Sequence, residues 1–132
     1  MLKRDKPLVL CIEDEEDIQE LLKIQLEAEF ELLFAPDGKE GVRLAIFHRP
    51  DLILIDLMMP NIDGVEATAM IKSIKAIQFR PLVALTAAPK KFQVRALQAG
   101  CDLVLEKPAL DLPARLKSLL PPPTGTTLSK GA

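Results

Sequence analysis

Four short apolar runs punctuate the chain, at positions 8–12, 52–55, 82–85 and 103–105, and each leads into a polar residue. They are too short for helices and rich in Val, Ile and Leu, without polar alternation. Such runs are predicted to be strands of a parallel sheet, buried on both faces. Between them, apolar positions recur at the spacing of an amphipathic helix.

The first strand is predicted over 7–13. A helix over 15–29 follows, with Ile18, Leu21, Leu22, Gln25 and Leu26 on its inner face. Asp14 is placed as its N-cap, and Glu15, Glu16 and Asp17 suit the positive end of the helix dipole. A second strand over 31–34 turns through Pro36-Asp37-Gly38 into a helix over 39–48, with Val42, Ala45 and Ile46 inward. Arg49-Pro50-Asp51 breaks that helix, because proline disfavours helical backbone at and before its own position. The third strand covers 52–56, and the turn-rich Met59-Pro60-Asn61-Ile62-Asp63-Gly64 precedes a third helix over 65–77. Pro81 opens the fourth strand, where its missing N–H is tolerated. Pro89 begins a fourth helix that ends before Gly100. A fifth strand over 102–106 and a last helix over 110–120, with Leu112, Leu116 and Leu119 or Leu120 inward, complete the pattern.

Five successive strand–helix units imply an α/β fold: one parallel sheet, doubly wound, with right-handed crossovers placing helices on both faces. The domain is expected to occupy 1–120. Residues 121–132, Pro-rich at their start and nearly devoid of large apolar residues, read as a disordered tail or a truncated linker.

The 132 residues suit one domain with a proper core. A net charge of -2 argues against a broad nucleic-acid surface, which needs a concentrated basic face. No apolar stretch approaches the roughly 18–20 residues of a membrane span, and the first seven residues lack the apolar core of a signal peptide. A cytoplasmic location is the expectation. The two cysteines, Cys11 within the first strand and Cys101 in a loop after Gly100, have no CxxC spacing and give no ground for a disulfide or zinc site. His48, at the end of the second helix, reads as a solvated helix-end side chain.

The chemistry lies where the strands stop. Glu13 and Asp14 follow the first strand, Asp56 the third, Thr86 the fourth and Lys107 the fifth. Ligands of open α/β sheets bind at the carboxyl ends of the strands. Each residue also has a plain structural reading: Asp14 as a helix cap, Asp56 as a turn former, Thr86 as a β-former and Lys107 as a surface cation. Their common position at strand ends is what selects a shared site. Three acids held close repel unless a hard cation separates them, and a hydroxyl with an ammonium suits an oxyanion. That is the chemistry of a phosphorylated aspartate with bound magnesium. An aspartate-nucleophile phosphohydrolase would place a second acid two residues beyond the nucleophile, where Met58 stands.

These residues resemble the receiver domain of two-component response regulators, a flavodoxin-like fold. The likeness rests on Leu10-Cys-Ile-Glu13-Asp14-Glu15, Asp51-Leu-Ile-Leu-Ile-Asp56-Leu-Met-Met-Pro60, Asp63-Gly64, Leu85-Thr86-Ala87 and Glu106-Lys107-Pro108, in order, over about 7–120. The resemblance implies Asp56 as phosphoacceptor, and Mg2+ held by Glu13, Asp14, Asp56 and the main-chain carbonyl of Met58. It implies that Thr86 and Lys107 bind the phosphoryl oxygens, and that the Lys107-Pro108 bond is cis. The donor would be a phosphohistidine on a histidine kinase or a histidine phosphotransfer protein. The receiver catalyses its own phosphorylation and dephosphorylation without being a turnover enzyme, and it signals through a downstream target protein or a homodimer. Candidate contact faces are the first helix around Ile24 and the surface of Lys90, Lys91, Val94 and Arg95. The chain departs from the family where receivers often carry an aromatic switch residue: Val104 stands there. A glycine often found after the first helix is missing. Met58 and Ala88 stand where relatives control access of hydrolytic water, and their apolar side chains imply a long-lived acyl phosphate.

Overall fold

The computed structural model describes residues 5–59 and 62–121. Its elements alternate as β1 (Leu8–Ile12), α1 (Glu16–Leu26), β2 (Glu31–Ala35), α2 (Gly38–His48), β3 (Leu52–Ile55), α3 (Gly64–Lys72), β4 (Leu82–Thr86), α4 (Lys90–Gln98), β5 (Leu103–Glu106) and α5 (Leu112–Lys117). The strands form a five-stranded sheet in the order β2-β1-β3-β4-β5, and every neighbouring pair is parallel. The order of connection reverses between β1 and β3. Their carboxyl ends therefore open the crevice in which ligands of doubly wound sheets bind.

Side-chain alternation along the strands sorts the core into two layers. Leu10, Ile12, Ile53, Ile55, Leu82 and Ala84 meet Val42, Ala45, Ala67, Ile71 and Ala96 from α2, α3 and α4. Val9, Cys11, Leu52, Leu54, Val83, Leu85 and Leu105 meet Leu22, Leu26, Leu112 and Leu116 from α1 and α5. Because both strand faces are covered, the runs read as continuously apolar.

Several boundaries differ from the sequence-based expectation. The N-cap of α1 is Glu15, not Asp14, and no side chain caps that end. Asp14 is thereby left for the site. Leu21 and Gln25 are exposed, as are Ile46 on α2 and Ile24 on α1, so the buried stripe of α1 narrows to Leu22 and Leu26 with Ile18 partly covered. Without a glycine, α1 ends in ordinary right-handed backbone at Glu27, and the Phe30 N–H donates to the Leu26 carbonyl at 3.0 Å. Phe30 then plugs the core.

Helix α3 stops at Lys72 rather than at Ile77. There the Lys72 ammonium donates to the carbonyls of Gln78 and Arg80 at 3.1 and 2.9 Å and to Asp102 at 3.0 Å. Turns over 73–80 fold back around that cation, and Ile77 is buried without being helical. Helix α5 is likewise shorter than expected at both ends. Cys101, in the loop after Gly100, is buried, and its thiol donates to the Leu103 carbonyl at 3.0 Å. His48 is exposed and meets Phe47 edge to face. No helix among the described residues is long and apolar enough to cross a membrane. Pro60, Asn61 and the segment 122–132 lie outside the described residues.

Candidate functional site

Asp56 follows the last residue of β3, and its backbone N–H continues the ladder onto the Ile12 carbonyl at 3.0 Å. Glu13 extends β1 in the same way, its N–H donating to the Ala35 carbonyl at 2.9 Å. The two carboxylates are thus fixed side by side by sheet register, both buried. Carboxylate oxygens of Glu13, Asp14 and Asp56 lie within 4.8 Å of one another. An all-oxygen, acid-rich set at that spacing fits a hard cation such as magnesium.

Lys107 and Thr86 close the site from the other side. The Lys107 ammonium donates to Glu13 Oε1 at 3.1 Å and to Asp56 Oδ2 at 3.2 Å. The Thr86 hydroxyl donates to Asp56 Oδ1 at 3.0 Å. The Met58 N–H also donates to Oδ1, at 3.1 Å, so the loop after β3 curls around the Asp56 carboxylate. The peptide bond between Lys107 and Pro108 is cis. Residues separated by up to 94 positions in sequence thereby meet over one carboxylate.

The electrostatics follow from crowding. Burial raises the Glu13 pKa above its ordinary value, the Asp56 charge adds to this, and hydrogen bonding from Lys107 opposes it. For Lys107, burial works against the ammonium, but the Asp56 and Glu13 charges outweigh it and raise the pKa. The Lys107 ammonium thus bridges the two acids. Cys11, fully buried beneath them, has its thiol pushed up to about 12 by burial and by the Glu13 charge. It stays a core residue.

Gly64 completes the geometry. It opens α3, and its N–H donates to the Leu57 carbonyl at 3.0 Å. A Cβ there would collide with the Asp56 carbonyl oxygen and the Leu57 Cα, backbone atoms that cannot rotate aside. In the sequence, Asp63-Gly64 is a turn signal and part of the family likeness; the steric need for glycine becomes visible once α3 is docked. Asp63 caps the helix by accepting from the Glu66 N–H at 2.8 Å.

Val104 does not join the cluster. It pairs with Ala84 across the β4–β5 ladder and packs into the core layer beneath α2, α3 and α4. The Met58 side chain is half exposed, whereas Ala88 is buried.

Residues 9–118 match the response regulator receiver domain. The chain belongs to that family. It is 35% identical over 116 residues to the alkaline phosphatase synthesis transcriptional regulatory protein PhoP of Bacillus subtilis (strain 168), covering 85% of this chain and 48% of that protein. The chain thus spans about half the length of that relative. It is 36% identical over 102 residues to the polar-differentiation response regulator DivK of Brucella anthropi, covering 76% of this chain and 83% of the relative. Among solved structures, the receiver domain of the sensor histidine kinase PA1611 from Pseudomonas aeruginosa PAO1 is 31% identical, with a TM-score of 0.76 and coverage of 86% of this chain and 93% of that one. That neighbour holds a magnesium ion coordinated in its active-site cleft. In this receiver, the acids, Thr86 and Lys107 selected from strand ends occupy one crevice, whereas Val104 lies apart.

Proposed function

We propose that this receiver accepts a phosphoryl group on Asp56 from a phosphohistidine, and that the modified state changes its protein contacts. The supporting observation is the convergence on one carboxylate of Lys107, Thr86 and two further acids at cation-sharing distance. In the transfer, an Asp56 oxygen forms a bond to phosphorus as the P–N bond of the donor breaks. The donor imidazole keeps the electron pair and takes up a proton. Lys107 and Thr86, already against the two Asp56 oxygens, move their donors to the oxygens of the arriving group. Such charge-assisted contacts are strongest when preorganised. Glu13, Asp14, Asp56 and the Met58 carbonyl would hold magnesium, which when bound neutralises charge on the transferring group.

The donor is a histidine kinase or a histidine phosphotransfer protein, and the readout is a downstream target or a second copy of the chain, in the cytoplasm. Met58 and Ala88 bring no polar side-chain atom to orient a hydrolytic water, so the acyl phosphate is long-lived. The test is incubation with acetyl phosphate and magnesium, read by intact mass. One added phosphoryl group is expected, absent in Asp56→Asn and persisting over minutes. Uptake by Asp56→Asn equal to wild type would overturn the assignment.

A further inference from the structure

Strand β2 forms one edge of the sheet, and β1 is its only strand partner among the described residues. The Glu31 N–H donates to the Pro7 carbonyl and the Ala35 carbonyl accepts from the Glu13 N–H, each at 2.9 Å. Glu31, Leu33 and Ala35 therefore turn their main-chain groups toward β1. Backbone direction alternates along a strand, so the N–H and C=O of Leu32 and Phe34 point outward. Such open groups at an edge are a template for a further strand.

Helix α1 stands off from this edge and leaves a groove of about 630 Å³. Leu32 and Phe34, partly covered, give it an apolar floor. Its walls carry Glu16, Glu20, Glu27 and Glu31. All four acids are exposed, and none forms an ion pair among the described residues. Lys6 and Lys23 answer them only in part, and the groove is net negative. Two copies paired edge to edge would bring these acids together, and like charges across strands destabilise such a pair. Charged residues guard an edge against its own kind; here the same acids select the opposite charge.

We propose that the β2 edge and the α1 groove bind an extended, cationic segment of a partner protein by strand addition. The segment's main chain pairs with the open groups of Leu32 and Phe34. Side chains at alternate positions of the added strand point into the groove. A Lys or Arg there lays its aliphatic stem on Leu32 and Phe34 and brings its charged head to the acids. The recognised pattern is therefore a basic residue at every second position, with no proline among the paired ones. Asp14, Asp56, Thr86 and Lys107 do not line the groove, so the inference stands apart from the phosphoacceptor reading.

The probe is a terminally blocked, dye-labelled peptide, Thr-Arg-Val-Arg-Val-Arg-Thr, titrated into the full, unmodified chain. Anisotropy reads binding, and amide NMR with hydrogen exchange locates it. Saturable binding is expected, with new exchange protection at the Leu32 and Phe34 amides. The peptide with Glu in place of Arg should not bind. An added strand has one paired edge, so N-methylation of either the valines or the arginines should weaken binding at least about tenfold, and the other set should be tolerated. Glu20→Gln with Glu27→Gln should weaken binding by about five- to tenfold, a loss that shrinks as salt is raised. Equal binding by both N-methylated peptides reveals a plain charge contact and overturns strand addition. Equal binding by the paired Gln variant, or no binding of the arginine peptide up to millimolar concentration, overturns the groove as its site. Protection of Leu32 and Phe34 that grows with protein concentration, without peptide, assigns the edge to a second copy and overturns the proposal.

Discussion

At the scale of single residues, the site is a compromise between charge repulsion and preorganisation. Glu13 is an acid whose pKa is raised in the folded chain, first by burial and then by Asp56. Such a group contributes stability that is fully present below its unfolded pKa and is lost as pH rises through the folded value. Glu13→Gln removes that term. In chelator-containing buffer, the variant-minus-wild-type Tm difference is therefore expected to rise as pH is raised from the ordinary value of 4.5 through the elevated one. Thermal melts across that window check it, and a difference that falls with pH would contradict it. Thr68 presents a different case. Its side chain is fully buried on α3, and its hydroxyl has no hydrogen-bond partner among the described residues. Thr68→Val should stabilise the domain by about 1 kcal/mol, because an unpartnered buried hydroxyl carries a desolvation penalty. Chemical denaturation measures this directly.

At the scale of elements, the approach of α3 to the end of β3 sets the position of Asp56. Gly64 permits that approach, and a Cβ would strike backbone that cannot yield. Gly64→Ala is expected to cost about 1–3 kcal/mol, as overpacking does, and to slow phosphoryl uptake by displacing the Asp56–Leu57 backbone. Denaturation midpoints and timed acetyl phosphate reactions check both effects, and unchanged uptake would show that the loop absorbs the methyl group. The far end of α3 is held by the Lys72 ammonium, which bridges two carbonyls and Asp102. Asp102 also accepts from the Leu82 N–H at 2.8 Å, so one ion pair fastens α3 to the starts of β4 and β5. Helix ends of this kind are set by long-range polar contacts, and this explains why periodicity overran the helix to Ile77.

At the scale of the whole molecule, the strand order 2-1-3-4-5 makes the crevice a product of topology. β1 and β3 become neighbours although a strand and two helices separate them in the chain. Their acids meet only in the folded state, so a cation that binds there stabilises the fold by mass action. Added magnesium at about ten times its dissociation constant should raise stability by roughly 1.4 kcal/mol. Asp14→Asn should remove most of that increment. Melts titrated with magnesium measure both, and an equal increment in the variant would exclude Asp14 from the metal set.

The chain by itself determined the strands, the alternation of strand and helix, and the strand-end residues Glu13, Asp14, Asp56, Thr86 and Lys107. Continuous Val, Ile and Leu runs have few other ways to be buried, and polar residues at their ends must face the crevice or solvent. Tertiary structure decided the rest. It placed Cys101 inside, turned Leu21 and Ile46 outward, shortened α1, α3 and α5, left Asp14 off the helix cap and made Gly64 a steric requirement. These outcomes depend on which segments pack together, and helical spacing or turn propensity carries no information about a partner that is distant in sequence.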